Sequence, residues 1–444
     1  MDCNSRNIRL FWNNSPLLPE KSLILQKTSM YIQRNIHQAI YSHLDRKEYT
    51  IITGPRQCGK TSLVKAIYRE IEEEKKHVAY ITFEDQDILT AVNSHPEEIF
   101  SYVVRPGKPS IIDERKTERI YLFIDEIQYA EDPSNLLKYL FDTYGENLKI
   151  IATGSSAFYI DDKFKDSLAG RKRVFELQTL SFDEWLRFSG ADNLATELEK
   201  IVSHKDYIST SSREIIQSFN DYLVFGGYPE VALEQQTEEK ILLLKELKNS
   251  FLRKDINEAG INYQEKFYML LTLLAGQTGN LVNRNELANT IGVDNKTINN
   301  YLYVLQKSFH IELVKPFYSS LRKELTKMPK VYFKDAGMMN SALNRFYDFQ
   351  IREDQGQLVE NYVYKRLTNL HDKEQIKFWR TTDNKEIDFI VSTSFNEGLA
   401  YEVKMNCRKI NMNAFKKFSD TYSKYSFRAV TYAQSDECLW ILRL

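Results

Sequence analysis

The sequence has few cysteines, and their spacing excludes the structures that cysteine usually builds. Its 444 residues include Cys3, Cys58, Cys407 and Cys438, which lie far apart and form no CxxC motif. Such a pattern indicates neither a disulfide framework nor a zinc knuckle. We therefore expect reduced thiols at all of these positions.

Long apolar runs are also missing. No run approaches the roughly 18 consecutive apolar residues that a membrane-spanning helix requires. The start of the chain, MDCNSRNIRLFWNNS, carries acidic and polar side chains where a signal peptide has its apolar segment. The expected protein is cytoplasmic and makes no contact with a membrane.

The net charge is also small, only −1, since 60 Lys and Arg residues are balanced by 61 Asp and Glu residues. Any binding of nucleic acid must then depend on a local basic surface rather than on the charge of the whole chain. The chain is rich in material for packed cores, with 42% hydrophobic and 13% aromatic residues. A chain of this length can form roughly two to four domains.

The strongest motif follows an apolar, β-rich run. Residues 49–71 read YTIITGPRQCGKTSLVKAIYREI, in which GxxxxGK[ST] stands between a predicted strand and an amphipathic helix. In such a loop, backbone N–H groups contact phosphate, Lys60 reaches the β- and γ-phosphates, and Thr61 offers a hydroxyl to Mg²⁺. The alternative is a Gly-Lys turn without a ligand. The residues predicted to contact the nucleotide are Gly54, Pro55, Arg56, Gln57, Cys58, Gly59, Lys60, Thr61 and Ser62.

Two acids end the next apolar run, IYLFIDEIQYAED at residues 120–132. The carboxyl end of a buried parallel strand would place Asp125 and Glu126 beside the phosphate loop. Asp125 is predicted to hold Mg²⁺ through water, and Glu126 to orient or activate the attacking water. Acids after a strand also occur as turn residues or helix caps. After a phosphate-binding loop, however, the pattern indicates a Walker B motif.

A further strand, LKIIATGSSAF at residues 148–158, ends in small polar residues. Ser155 and Ser156 fall where a neighbouring strand could present a hydroxyl to the γ-phosphate, and we favour Ser155 as this sensor. The alternative is that TGSS only turns the chain.

A short basic cluster, GRKR, follows at residues 170–173. An arginine aimed at the γ-phosphate, often from a neighbouring subunit, can stabilise the transition state of phosphoryl transfer. Arg171 is the predicted arginine finger and Arg173 the reserve. A solvated basic turn is the alternative interpretation.

Together, the segments GPRQCGKT, FIDEIQ, IIATGSSAF, LAGR and FGGYPEV resemble a widespread prokaryotic group of AAA+-type ATPases. The resemblance covers nearly the whole chain from about residue 35. The resemblance implies an α/β fold whose P-loop core is a parallel αβα sheet, with ATP and Mg²⁺ as ligands. It leaves open whether the chain assembles into a homo-oligomeric ring. Cys58 departs from the pattern, because a small aliphatic residue is more usual there, and its thiol could make the site sensitive to oxidation. The implied units are an N-terminal extension (1–35), the ATPase core (36–190), a helical lid (191–262), a winged helix (263–335) and a nuclease-like domain (336–444).

The middle of the chain is predicted to be helical, and FGGYPEVAL at residues 225–233 is its one clear break. Gly226 and Gly227 would permit a tight turn between helices, and Pro229 suits the first turn of the next helix. The resemblance assigns this stretch to the lid over the nucleotide.

Residues 284–317, RNELANTIGVDNKTINNYLYVLQKSFHIELVKPF, predict a helix, a turn at Gly292, a second helix from about Asn295 and a strand pair. This order is typical of a helix-turn-helix with a wing. The second helix would expose polar groups that can contact phosphate or base edges of DNA. The alternative is a packing module with a solvated charged face. A basic stripe after Tyr318 would add DNA affinity, and it consists of Arg322, Lys323, Lys327 and Lys330.

The last hundred residues carry Glu360 in GQLVENYVYKRLTNL, Asp388 in KEIDFIV, and Glu402 and Lys404 in LAYEVKMN. This order matches the PD-(D/E)xK pattern of a small α/β, restriction-endonuclease-like domain. Glu360 is expected on the exposed side of a helix, and the three acids are expected to ligate Mg²⁺ while Lys404 orients the attacking water. The alternatives are an ordinary strand face with complementary charges, or a scaffold kept only for binding.

The leading hypothesis is therefore an ATP-hydrolysing, Mg²⁺-dependent protein that acts on DNA, with nucleotide state controlling a nuclease-like C-terminal domain. One alternative is a switch ATPase whose C-terminal domain binds a protein partner. Another is a ring that remodels DNA by branch migration without cleavage.

Overall fold

The computed structural model of this protein describes residues 31–103, 119–154 and 168–444. Most of the predicted N-terminal extension lies outside the described residues, as do Ser155 and Ser156.

The first part of the chain forms a five-stranded sheet in which all neighbouring strands are parallel. Its strand order is β2-β3-β4-β1-β5, and separate hydrophobic clusters cover its two faces. The continuous apolar runs of the sequence suit strands that are buried on both sides. The predicted parallel αβα core is confirmed. Its strands are Tyr49–Thr53 (β1), His77–Thr82 (β2), Ile120–Asp125 (β3), Leu148–Gly154 (β4) and Lys172–Glu176 (β5).

The helices of this core present apolar side chains at helical spacing to the sheet. In the helix after the phosphate loop, Leu63, Val64, Ile67 and Ile71 recur every three or four residues and are buried. The helices are His37–His43 (α1), Lys60–Glu73 (α2), Gln86–Ser94 (α3) and Pro133–Tyr144 (α4), with 3₁₀ turns at Pro96–Tyr102 and Ile127–Tyr129.

The middle of the chain is helical, as predicted, and its tight turn depends on two glycines. Gly226 has φ 73°, and a Cβ there would lie 2.1 Å from Asp335 Oδ1. The Gly227 N–H donates to Asp335 Oδ2 at 2.8 Å. Across the described ranges, no helix combines the length and apolar content of a membrane span. The helices are Phe182–Phe188 (α5), Asp192–Ser203 (α6), Ser212–Phe225 (α7), Pro229–Leu233 (α8), Thr237–Glu258 (α9) and Gln264–Gly276 (α10).

The next segment has the two helices and the strand pair expected of a helix-turn-helix with a wing, and we refer to it as the winged helix. Gly292 ends its first helix in the left-handed region with φ 72°, and its second helix begins at Asn295, as expected. Its two strands pair antiparallel and are separated by a short helix. The elements are Arg284–Ile291 (α11), Asn295–Lys307 (α12), Ile311–Val314 (β6), Leu321–Thr326 (α13) and Lys330–Phe333 (β7).

A second five-stranded sheet, of order β12-β11-β10-β9-β8, follows near the C-terminus. Its strands β8, β9 and β10 are antiparallel, whereas β11 and β12 run parallel to β10. The elements are Ala336–Leu343 (α14), Gln355–Leu370 (α15), Ile376–Arg380 (β8), Glu386–Ser394 (β9), Glu397–Lys404 (β10), Asn413–Ser419 (α16), Tyr425–Thr431 (β11) and Leu439–Trp440 (β12), with 3₁₀ turns at Phe349–Ile351, Lys373–Gln375, Cys407–Lys409 and Ile441–Arg443.

One continuous hydrophobic core extends from Leu180 to Leu444. It joins the helical middle, the winged helix and the second sheet, so the expected boundaries at 262/263 and 335/336 divide a shared core. Helix α14 was assigned to the end domain, yet it packs on α7 and α9 of the expected lid and on α10 of the expected winged helix. The units after the ATPase core are therefore packed together rather than strung on linkers.

The expectation of reduced thiols is wrong for two of the cysteines. Cys407 and Cys438 form a disulfide, with Cα atoms 6.1 Å apart. Cys407 follows β10 and Cys438 precedes β12, and the sheet brings these strands to either side of β11. Spacing along the chain could not reveal this proximity. Cys58 is a buried free thiol, and Cys3 lies outside the described residues.

Candidate functional site

The phosphate loop connects β1 to α2, as the motif predicts. Gly54 has φ 147°, and a Cβ there would lie 2.0 Å from the carbonyl oxygen of Leu177. Gly59 has φ 98° and precedes the first residue of the helix. The Lys60 ammonium donates to the carbonyls of Gly54 at 3.0 Å and Pro55 at 2.8 Å. The lysine is thus held inside the loop, where an incoming phosphate would meet it.

The hydroxyl and the carboxylate expected to hold magnesium lie in direct contact. Thr61 Oγ1 donates to Asp125 Oδ2 at 2.8 Å. The Tyr80 hydroxyl donates to the same oxygen at 2.8 Å, and the Thr153 hydroxyl donates to Oδ1. Three neighbouring elements therefore orient one buried carboxylate towards the loop.

Glu126 has a backbone conformation that side chains rarely adopt, with φ 58° and ψ 49°. Its N–H donates to Thr153 Oγ1 at 3.0 Å, and its carboxylate accepts from the Gln128 side-chain amide. Strain of this kind persists where surrounding contacts impose it, and it is common at active sites. The left-handed turn directs Glu126 away from the course of β3.

Thr153 is a functional candidate that the sequence analysis missed. Its hydroxyl bridges Asp125 and Glu126, whereas Ser155, the predicted sensor, lies outside the described residues. The strand continues through Gly154, so Thr153 still belongs to β4. Its position level with the end of β3 was the signal that could have identified it.

Arg34, which precedes α1, contacts the backbone of the phosphate loop. Arg34 donates to the carbonyl of Cys58 at 2.7 Å and pairs with Glu184 at 3.0 Å. Burial raises the pKa of the Cys58 thiol, which donates to the carbonyl of Leu177 at 3.3 Å. A fully buried, protonated thiol is poorly reactive, so the structure does not support the expected sensitivity to oxidation.

Arg171 lies at the wrong end of the sheet to reach its own phosphate loop. Its carbonyl accepts from the N–H of Tyr49, the first residue of β1, whereas the loop follows the last residue, Thr53. The length of this strand is about 13 Å. Arg171 pairs with Asp142 at 2.7 Å, and the Arg173 guanidinium stacks 5.2 Å from the ring centroid of Phe175 on the same strand. A role for either arginine in a neighbouring subunit stays a prediction.

The predicted acids of the C-terminal sheet do come together. Asp388 lies on β9 and Glu402 on the adjacent strand β10. Asp388 Oδ2 accepts from the N–H of Val403 at 2.8 Å. Lys404 Nζ lies 2.6 Å from Glu402 Oε1 and 3.6 Å from Asp388 Oδ2.

Glu360 does not lie on an exposed helix face, which corrects one expectation. Its carboxylate faces β7 of the winged helix, where it accepts from the Tyr332 hydroxyl at 2.6 Å and from Lys330 Nζ at 3.3 Å. Lys330 also pairs with Glu386 at 2.6 Å and is almost fully buried. Lys330 is therefore not part of an exposed basic stripe.

Glu360, Asp388 and Glu402 form an acidic centre whose carboxylates lie close to Lys330 and Lys404. Burial, together with the charge of Asp388, raises the pKa of Glu360 and of Glu402 to about 7. Burial by itself lowers the pKa of Lys330, but Glu360, Asp388 and Glu386 raise it well above its usual range. Among the described residues, no three His, Cys, Asp or Glu side chains are arranged to hold a metal ion. As it stands, the centre does not fit a bound magnesium.

The wing packs on the C-terminal sheet. The N–H of Phe317 donates to the carbonyl of Phe378 at 2.5 Å, and the Phe317 ring joins a cluster that includes Trp379 and Phe418. Arg322, Lys323 and Lys327 remain exposed. The exposed basic surface is therefore smaller than the predicted stripe.

Three family models match successive parts of the chain. Residues 46–186 match an AAA domain, residues 216–348 match a domain of unknown function (DUF8612), and residues 355–441 match a second domain of unknown function (DUF4143). The first match, the parallel sheet and the phosphate loop are consistent with a P-loop ATPase core.

Similar curated proteins are themselves uncharacterized. One from Haemophilus influenzae is 23% identical over 92% of this chain and 96% of its own length. One from Methanocaldococcus jannaschii is 26% identical over 82% of this chain and 76% of its own length.

Solved structures with some similarity include two proteins from other organisms. The Aeropyrum pernix Orc1 protein in complex with DNA is 13% identical, with a TM-score of 0.30 over 74% of this chain and 93% of its own. AMPPCP-bound DnaA from Aquifex aeolicus is 14% identical, with a TM-score of 0.31 over 62% of this chain and 89% of its own. A likeness at this TM-score carries no conclusion about function.

The raised pKa values of the acidic centre predict a specific dependence of stability on pH. Folding favours the protonated forms of Glu360 and Glu402, so their contribution is complete below about pH 4.5 and is lost as pH rises through about 7. Replacing Glu360 by Gln should reduce the loss of unfolding free energy between pH 5 and 8 by about 1 to 3 kcal/mol. Urea unfolding of both proteins across this range measures the difference.

The matched control is Glu246→Gln, which removes an exposed glutamate of α9. Its pH dependence should equal that of the unmodified protein. An equal pH dependence in Glu360→Gln would show that the centre does not titrate in this range.

Proposed function

We propose that this protein binds ATP with Mg²⁺ and hydrolyses it, and that the nucleotide state controls the units that follow the ATPase core. The observation that carries the proposal is the contact of 2.8 Å between Thr61 and Asp125, next to a lysine held inside the phosphate loop. A bare Gly-Lys turn requires no such convergence.

The donor set fits a magnesium nucleotide. Thr61 and Asp125 are hard oxygen ligands of the kind that Mg²⁺ prefers, directly or through water. The metal would supply neutralisation of the charge that develops on the phosphates. Lys60 binds phosphate, Glu126 orients the attacking water, and Thr153 holds both acids in position.

The ATPase proposal predicts loss of nucleotide binding for one substitution and slower hydrolysis for two others. Lys60→Ala should abolish nucleotide binding, because the ammonium that meets the phosphates is removed. Glu126→Gln should still bind nucleotide but hydrolyse it on the order of 100-fold more slowly. Thr153→Val should also slow hydrolysis, since Asp125 and Glu126 lose their shared hydroxyl. Phosphate release and binding of a fluorescent ATP analogue measure the two effects.

Ser155→Ala is the comparison that separates Thr153 from the hydroxyl predicted from sequence. Full turnover in this variant, with loss of turnover in Thr153→Val, assigns the role to Thr153. Unchanged turnover in both Lys60→Ala and Glu126→Gln would remove the ATPase assignment.

A second part of the proposal is that the protein acts on DNA through the winged helix. It is supported by the exposed polar residues of α12, among them Asn295, Lys296 and Asn299, and by the exposed cations of the wing. These groups can contact phosphates and base edges. The rival is a module that only packs, which the burial of Phe317 in the C-terminal sheet favours.

Neutralising the wing should weaken DNA binding equally on every sequence, because phosphate contacts carry no base information. The triple variant replaces Arg322, Lys323 and Lys327 by Gln. Fluorescence anisotropy at several salt concentrations should show a smaller salt dependence. The logarithmic slope should fall by about 0.9 for each phosphate that the variant no longer neutralises.

The same change in charge elsewhere is the control, made by replacing three exposed residues of other elements, Lys138, Lys205 and Arg213, by Gln. Equal affinity and slope in the wing variant and in the unmodified protein would discard the wing as a DNA surface.

The nuclease-like interpretation of the C-terminal domain also stays a prediction. Lys404 lies beside both Asp388 and Glu402, which supports it, but the buried ammonium of Lys330 pairs with Glu360 where a metal ion would be needed. Metal-dependent cleavage would require Lys330 to leave. Without that movement the domain is a binding module, in line with the rival hypothesis of a switch ATPase with a protein partner.

Removing the internal cation should favour an external one. Lys330→Met removes the ammonium that pairs with Glu360 and Glu386, and a buried carboxylate that loses a partner is costly. We expect binding of Mn²⁺, followed by calorimetry, to tighten about tenfold. Any nicking of plasmid DNA should rise in parallel and should disappear when Asp388→Ala is added.

The expected Mn²⁺ effect must be absent in Lys334→Met, another buried lysine of the same segment that pairs with Glu176 and Glu312 instead. Equal Mn²⁺ binding in Lys330→Met and the unmodified protein would argue against a metal site in this domain. Nicking that survives Asp388→Ala would indicate a contaminating nuclease.

The ring hypothesis is favoured by one observation only. Arg171 lies at the end of the sheet opposite to its own phosphate loop. An arginine in this position could act on the nucleotide of a neighbouring subunit. Light scattering with and without nucleotide distinguishes a ring from a monomer.

A further inference from the structure

The side chain of Arg56 leaves the phosphate loop and contacts the helical middle. Its Nη2 lies 2.5 Å from Glu258 Oε1, and its Nε lies 3.6 Å from Asp255 Oδ1. Both acids belong to the last turn of α9. The charge of Glu126 also acts on this guanidinium. Arg56 therefore stands between the predicted hydrolytic acid and a different structural unit.

Asp255 divides its two oxygens between two parts of the protein. Oδ1 faces Arg56, and Oδ2 accepts from His310 Nε2 at 2.7 Å. The Asp255 and His310 side chains are 5% and 3% exposed, so water cannot replace either partner. A buried carboxylate requires such partners, because removing one leaves an uncompensated charge.

The neutralisation of Asp255 depends on Arg56. No hydrogen-bond partner of His310 Nδ1 is present among the described residues. The Arg56 guanidinium, in contrast, carries a permanent charge. In the part of the chain that the structure describes, Arg56 is then the permanent cation within 4.0 Å of Asp255.

His310 stands at the joint of the winged helix. It lies between the end of α12 and the start of β6, after Phe309 in the left-handed region with φ 62°. Its carbonyl accepts from the N–H of Lys334 at 3.1 Å, just beyond β7. A displacement of His310 would therefore be transmitted to the second helix and to both strands of the wing.

We propose that Arg56, Asp255 and His310 form a link through which the nucleotide site and the winged helix control each other. The inference rests on the proposed binding of ATP. A triphosphate competes with Asp255 and Glu258 for the guanidinium of Arg56. When Arg56 turns to the phosphates, Asp255 is left as a buried carboxylate without its cation, which is costly. The end of α9 then opens so that water can reach Asp255, and the contact that docks His310 on α9 is lost.

The two acids of α9 are thus positioning residues for Arg56. They keep the guanidinium beside the loop but compete with the ligand for it. Linkage requires reciprocity: if nucleotide loosens the winged helix, then a ligand that displaces the winged helix must tighten nucleotide binding by the same factor. Coupling between sites is typically about 5- to 150-fold. The structure thereby offers a route by which events at the winged helix could act on ATP binding.

The test uses the full chain and AMPPNP with Mg²⁺ as the probe. Hydrogen exchange followed by mass spectrometry should show residues 295–314 exchanging about fivefold faster when AMPPNP is bound. In Asp255→Asn this response should vanish. The affinity for AMPPNP should rise about fivefold in the same variant, because the ligand no longer competes for Arg56.

A merely structural role of Asp255 would not increase nucleotide affinity, so the sign of this change is decisive. Glu258→Gln provides a second variant that is safer for folding, since its side chain is 30% exposed, and it should also tighten AMPPNP binding. The matched control is Glu246→Gln on the exposed side of the same helix, which should alter neither measurement.

Several outcomes would overturn the link. One is AMPPNP binding to the unmodified protein without any change in exchange at 295–314. Another is unchanged or weaker AMPPNP binding in both Asp255→Asn and Glu258→Gln while each variant remains folded. If the unmodified protein does not bind AMPPNP at all, the proposed function fails, and the link fails with it.

Discussion

The carboxylate of Asp125 is the group on which the candidate nucleotide site depends. Thr61 from the first turn of α2, Tyr80 from β2 and Thr153 from β4 all donate to it. A buried charge of this kind is stable only when hydrogen bonds surround it. The same bonds fix the relative positions of the phosphate loop and the end of the neighbouring strands. The Thr153 hydroxyl also accepts from the N–H of Glu126, so one side chain both orients Asp125 and holds the strained backbone of Glu126.

Buried charges also join the successive parts of the chain. Arg34 ties the phosphate loop to Glu184 in α5, and Lys334 joins the end of β7 to Glu176 in β5. Close to the loop, the buried carboxylate of Asp255 pairs with Arg56 and is hydrogen-bonded to His310. Replacing one partner of a buried ion pair costs far more than the pair contributes as a whole. Such contacts hold these units together, because separating them would leave a buried charge without its partner.

Elements whose signals are local were predictable. The phosphate loop, the end of β3 at Asp125, the turn at Gly292 and the helix from Asn295 all follow from spacing and from glycine or capping chemistry within a few residues. The errors concern contacts between distant parts of the chain. Glu360 was expected to face solvent because helical periodicity alone could not show that β7 packs there. Lys330 was assigned to a basic stripe because its neighbours along the chain are basic, although its side chain turns towards Glu360 and Glu386. The disulfide between Cys407 and Cys438 was missed because sheet order, not chain spacing, brings them together.

The sequence by itself therefore determined the P-loop core, much of its strand and helix order, and the four residues Lys60, Thr61, Asp125 and Glu126 of the candidate nucleotide site. These are properties of short segments, in which the order of residue types already dictates backbone conformation and reactivity. Only the tertiary structure decided that Thr153 orders the acids, that Arg171 faces away from its own loop, and that a lysine stands among the C-terminal carboxylates. Each of these depends on which strand or helix lies next to which. The burial of shared apolar surface across hundreds of residues decides which elements are neighbours. The spacing of residues along the chain does not reveal it.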